Sequence, residues 1–120
     1  MQKGVNINDS GVPFTDLILA GAKTVETRGS RSLDSVIGKR VGIVRTGCGP
    51  ATLVGYATIG KPHRYKSRAA FRADYCHHRV PAGSQYDAMA GERWGYPLTE
   101  VVAVAHKPVM SRGIVLRSIG

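Results

Sequence analysis

Lys23, Glu26 and Arg28 stand within six residues of one another, just after a glycine, Gly21, that suits the end of a helix. A lysine, a carboxylate and a guanidinium in one short segment can bind a phosphate or orient a base. They can also do acid–base work: Glu26 would accept a proton or orient water, and Lys23 or Arg28 would stabilise developing negative charge. A nearby carboxylate favours the charged lysine, so nucleophilic use of Lys23 requires desolvation to lower its pKa. Thr24 belongs with the group as a binding residue. In a regular strand Thr24, Glu26 and Arg28 share one face and Lys23 points to the other. Lys23 can join them only if the backbone is still turning after Gly21.

A second group of candidates is cationic. Lys61, Arg64, Lys66, Arg68, Arg72 and Arg79 are opposed between residues 61 and 79 only by Asp74, and they hold more than half of the chain's formal net charge of +9. Such a run neutralises phosphates by counterion release, with His63 able to add partial charge. Tyr65, Phe71 and Tyr75 are interleaved and are expected in the core. A smaller basic group, Arg28, Arg31, Lys39, Arg40 and Arg45, could supply a second wall of one groove. The excess charge points to a polyanion, and no amphipathic basic helix long enough for a membrane surface is present. Trp94 and Tyr96 are candidates for stacking on a base.

Short elements must position these residues. Residues 12–20 read as a helix, with Pro13 in its first turn and Phe14, Leu17 and Ile18 forming an apolar stripe. A β-prone segment over residues 23–28 follows Gly21. Arg40–Thr46 and Thr52–Ile59 read as a hairpin turned at residues 47–50. Residues 67–78 form the other helix candidate. Residues 91–97 are turn-rich, and residues 98–106 and 113–119 read as two closing strands. The 120 residues suit one domain over 1–120. The expected class is α+β, a small, partly closed barrel of about five or six strands with two helices. The polar start and the absence of a long apolar run lead to a cytoplasmic expectation, with Cys48 and Cys76 as free thiols.

Other chemistry is less well supported. Cys76-His77-His78 offers metal-ligand types, but neighbours on a helix diverge by about 100°. A zinc site would need His63, Cys48 or His106 from elsewhere, so no metal and no cofactor are expected. His63 and His78 are candidates for the general base of a metal-independent RNA-cleaving site. No phosphate-loop spacing occurs among the glycines.

The segment Ile18-Leu19-Ala20-Gly21-Ala22-Lys23-Thr24-Val25-Glu26-Thr27-Arg28 resembles the signature of the ASCH domain, a relative of the PUA domain: an apolar helix followed by G-x-K-T-x-E-x-R. Residues 38–44 resemble the family's glycine-led second strand and residues 53–59 the next one. Trp94-Gly95-Tyr96-Pro97-Leu98, Pro108 and residues 112–116 resemble its closing strands. The resemblance implies a PUA-like barrel with a cleft beside the first helix and the strand after it. It also implies binding of RNA or a modified nucleoside, in RNA processing or regulation. One branch of the family hydrolyses the amide of N4-acetylcytidine and another resembles a ribonuclease. In the amidohydrolase branch the lysine works with a threonine three residues later and a distant glutamate. Here Glu26 occupies the threonine's position and no glutamate lies between Lys61 and Pro81, so the sequence follows the general pattern more closely than that branch.

Overall fold

The computed structural model describes residues 2–88 and 93–120. Its elements run β1 (Lys3–Asn8), α1 (Phe14–Leu19), β2 (Val25–Arg28), a 3₁₀ turn at Asp34–Val36, β3 (Arg40–Thr46), β4 (Thr52–Ile59), β5 (His63–Tyr65), α2 (Arg68–Ala73), α3 (Tyr75–His78), β6 (Arg93–Pro108) and β7 (Leu116–Ser118). The strands form a curled half-barrel in the order β2-β6-β4-β3-β1-β7, with β5 also paired to β6. This is the α+β barrel expected, with seven strands and three short helices among the described residues. No helix among them is long and apolar enough to cross a membrane.

The core is built from the apolar positions that define the elements. Phe14 and Ile18 bury one face of α1, Val41, Ile43 and Val44 lie buried along β3, and Val54, Ala57 and Ile59 do so on β4. The β3–β4 hairpin is antiparallel as expected. β1 was not foreseen: its partner on one side is β3, in parallel, and on the other β7. A six-residue strand whose pairing is non-local leaves little trace in its own sequence.

Three segments correct the sequence expectations. The helix read over 67–78 breaks at Asp74, which leaves α-geometry at ψ 19° and divides α2 from α3. Of the turn-rich stretch 91–97, residues 91 and 92 lie outside the described residues, whereas Arg93–Pro97 are strand. They are held there by β2 on one edge and β5 on the other. The closing strand read over 113–119 is limited to β7. Tyr65 and Phe71 are core residues as expected, but Tyr75 is 44% exposed.

β6 is the strand on which the site depends. Its first residues pair with β2 and β5, and from Leu98 onward it pairs with β4. The β4–β6 register shifts near Gly55, where an added Cβ would come within 2.6 Å of both the Val102 carbonyl oxygen and Leu19 Cδ2. Backbone on one side and a core side chain on the other leave no direction for relief. Gly55→Ala is therefore expected to lower stability by about 1–3 kcal/mol. Urea unfolding measures this, and an unchanged midpoint contradicts the packing described.

Candidate functional site

The chain after α1 is still turning when it reaches Lys23. Gly21 adopts φ 77°, and the amides of both Ala22 and Lys23 donate to the Leu17 carbonyl. Regular strand begins only at Val25. This extra turn is the condition under which Lys23 can meet the residues of β2, and it does so. Lys23 Nζ lies 3.4 Å from Glu26 Oε1, and Arg28 Nη2 lies 2.9 Å from Glu26 Oε2. One carboxylate thus bridges two cations.

The environment of Lys23 is unusual for an ammonium. It is 1% exposed, donates to the His78 carbonyl at 2.6 Å and stands 4.7 Å from the centre of the Phe14 ring. Burial pushes its pKa below the ordinary lysine value; the charge and hydrogen bond of Glu26 oppose that shift, and Arg28 adds to it. Arg28 is anchored to β1 by a bond to the Asn6 carbonyl, and its buried Nε has no hydrogen-bond partner.

These side chains line a cavity of about 310 Å³ between β1, α1, β2 and the 80–88 segment. Asn6, Asn8, Phe14, Gln85, Tyr86 and Arg93 complete the polar and aromatic parts of its wall. Phe14 and Tyr86 meet edge to face with centroids 5.0 Å apart. Three cationic side chains face one carboxylate around this space. Sequence reasoning did not single out the two asparagines, Gln85, Tyr86 or Arg93. The Asn6-Ile7-Asn8 alternation was the one local signal, because residues two apart on a strand share a face.

The remaining candidates lie elsewhere. Thr24 is exposed outside the cavity, and its amide donates to the His77 carbonyl. Lys61, His63, Arg64, Lys66, Arg68 and Arg72 are exposed along β5, α2 and the connections beside them, and none lines the cavity. Arg68 and Arg72 are tied to the 83–88 segment. Arg68 donates to the Ala88 carbonyl, and Arg72 grips Asp87 at 2.6 Å. Asp87 also accepts from the amides of Gly83 and Ala88, and these bonds, the Arg72 pair foremost, hold its carboxyl well below the usual range. Arg68 and Arg72 thereby fasten the segment that carries Gln85 and Tyr86.

Tyr96 is completely buried. Its hydroxyl donates to Asp34 and accepts from the Leu33 amide, so it braces the 3₁₀ turn and presents no face to a ligand. Trp94 is half-buried on β6, under the Arg31 guanidinium and outside the cavity. His78 is also buried: Nδ1 accepts from the Val80 amide and Nε2 donates to the Phe71 carbonyl. Burial lowers its pKa, and with both nitrogens engaged it is not available as a base. Of the smaller basic group, Arg28 lines the cavity. Arg31 pairs with Asp34, while Lys39 and Arg40 border a separate concavity of about 510 Å³ with Lys3.

No protein-family model and no curated protein sequence matches the chain. Solved structures do match its fold. A mutant form of an ASCH protein from Zymomonas mobilis superposes with a TM-score of 0.71 at 15% identity, over 90% of this chain and 76% of that one. The chain has the ASCH fold. A second mutant form gives 0.58 at 19% identity, over 91% and 71%, and the ASCH protein itself gives 0.59 at 19%, over 89% and 69%. The ASCH resemblance read in residues 18–28 and the fold therefore agree, and the cavity lies beside the first helix and the strand after it, where that resemblance put a cleft.

Glu26 is the only carboxylate lining the cavity among the described residues, and its charge opposes the effect of burial on Lys23. Glu26→Gln keeps the shape and removes the charge. Lys23 is then expected to titrate at lower pH than in the wild type, followed by NMR of the lysine side chain. An unchanged or higher titration point contradicts the assigned coupling.

Proposed function

We propose that this chain binds RNA through one nucleoside unit held in the Lys23–Glu26–Arg28 cavity. The observation that carries this reading is a small cavity in which a desolvated lysine, a bridging carboxylate and a guanidinium meet two aromatic rings. At about 310 Å³ it is at the lower end of ligand pockets, suited to one base with its sugar and too small for a base pair. Phe14 and Tyr86 offer apolar faces for the base, and the side-chain amides of Asn8 and Gln85 offer donors and acceptors for its edge. Arg28 and Arg93 supply positive charge for an adjoining phosphate. The exposed residues Lys61, Arg64 and Lys66 would track the neighbouring backbone. Arg68 and Arg72 contribute mainly by fastening the cavity wall.

A second reading, hydrolysis of a modified nucleoside such as N4-acetylcytidine or of RNA, is favoured by one observation: the Lys23 amine is buried beside Glu26. Desolvation disfavours the charged form of a lysine amine and so favours its use as a base or nucleophile, and Arg28 can stabilise an oxyanion.

Binding of a short single-stranded RNA, measured by fluorescence anisotropy, is expected to weaken steeply between about 50 and about 200 mM salt. Replacing Lys61, Arg64 and Lys66 together by alanine is expected to flatten that dependence. Affinity that ignores salt, or that survives the triple replacement unchanged, contradicts the reading. Incubation with N4-acetylcytidine distinguishes the second reading: turnover lost in Lys23→Met supports catalysis, and turnover retained in that variant excludes Lys23 as its centre.

A further inference from the structure

The break between α2 and α3 turns the ligand atoms of near neighbours in the sequence toward one another. Asp74, Cys76 and His77 each present one ligand atom, and these atoms all lie within 4.8 Å of one another. His77 Nδ1 is 2.5 Å from Asp74 Oδ1 and 3.7 Å from Cys76 Sγ. Adjacent helical residues diverge, but Nδ1 is the ring nitrogen nearer the backbone, and here it lies on the cysteine side. β5 adds a fourth group, because His63 Nε2 stands 4.0 Å from Asp74 Oδ2.

We infer that Asp74, Cys76, His77 and His63 form a binding site for a zinc-class transition-metal ion at the α2–α3 junction. A thiolate, two imidazoles and one carboxylate are the donors that zinc takes in tetrahedral sites, whereas magnesium and calcium require oxygen. Bonds of about 2.0–2.3 Å imply ligand atoms about 3.3–3.8 Å apart in a tetrahedron. The Cys76–His77 separation already falls in that range. The Asp74–His77 pair opens by about 1 Å as the ion takes the place of their hydrogen bond, and His63, 4.0 Å from Asp74 but outside the cluster of three, swings in from β5 to complete the set, both by side-chain rotation at the surface. Cys76 and His77 are exposed, so their rotamers are not fixed by packing.

An outer-shell partner is also in place. The Tyr65 hydroxyl donates to Asp74 Oδ2 at 2.5 Å, orienting the carboxylate as hydrogen bonds to metal-ligating groups commonly do. The site has a mechanical connection to the cavity. The His77 carbonyl accepts from the Thr24 amide, and the His78 carbonyl accepts from Lys23 Nζ. A metal ion that fastens the four-residue α3 would therefore fasten the acceptor of Lys23. The inference itself rests on the ligand geometry alone and stands independently of what the cavity binds.

Cobalt(II) tests it on the full chain after treatment with a chelator. The expected result is a thiolate-to-cobalt charge-transfer band, together with the intense visible bands of tetrahedral cobalt, saturating at one ion per chain. Cys76→Ser removes the charge-transfer band, His77→Ala and His63→Ala each weaken binding at least about tenfold, and Cys48→Ser changes nothing. In the unmodified protein, zinc is expected to slow alkylation of Cys76 and leave that of Cys48 unaltered. Absence of the charge-transfer band, its survival in Cys76→Ser, or equal alkylation of Cys76 with and without zinc overturns the site.

Discussion

Placing the amine of Lys23 out of water is the constraint on which this structure depends. An ammonium removed from solvent costs on the order of several kcal/mol unless its protons and charge are answered. Each answer comes from a different element: the bridging carboxylate from β2, the carbonyl of His78 from the end of α3, and a ring face from Phe14 on α1. The turn that aims Lys23 inward comes from Gly21. Moving any one of these elements takes one of its three partners from a buried charge. The positions of α1, β2 and α3 are thus tied together by one side chain.

The same logic explains His78. A neutral imidazole stacked on Phe71, with both nitrogens hydrogen-bonded to backbone, fixes the carbonyl that receives Lys23. The exposed cations divide in a comparable way. Arg68 and Arg72 are turned back onto the 83–88 segment by Ala88 and Asp87, so part of a basic run that reads as a binding surface is structural. Arg93 does related work from β6, donating to the carbonyls of Tyr86 and Asp87. Charge in this molecule both shapes the cavity and faces it.

What was legible in the sequence follows from the range of the interactions. The helix and glycine before Lys23 and the β3–β4 hairpin are set within a few residues of each other, and they read correctly; whether Lys23 meets Glu26 and Arg28 turned on the chain's direction after Gly21, which the sequence left open. Non-local features did not read correctly. β1 depends on a parallel partner nearly forty residues away. Arg93–Pro97 become strand because two edges pair with them, which overrides local turn chemistry. Tyr96 looked like a stacking residue and is a brace, since its hydroxyl finds Asp34 across 62 positions. The rest of the cavity wall, from Asn6 to Arg93, has no common local signature because five separate segments contribute to it. Asp74 is the instructive break. One residue outside helical geometry divides the expected single helix into two and brings its own carboxylate beside Cys76 and His77.

The central claim is that the Lys23–Glu26–Arg28 cavity receives the nucleoside, with the exposed cations holding only the neighbouring backbone. A titration of isotopically labelled protein with cytidine 5′-monophosphate, followed by amide NMR, tests this most directly. The account predicts saturable shifts concentrated at Asn6, Asn8, Thr27, Gln85 and Tyr86, with smaller changes along residues 61–72. Shifts confined to residues 61–72, with the cavity wall unmoved at saturation, would contradict it.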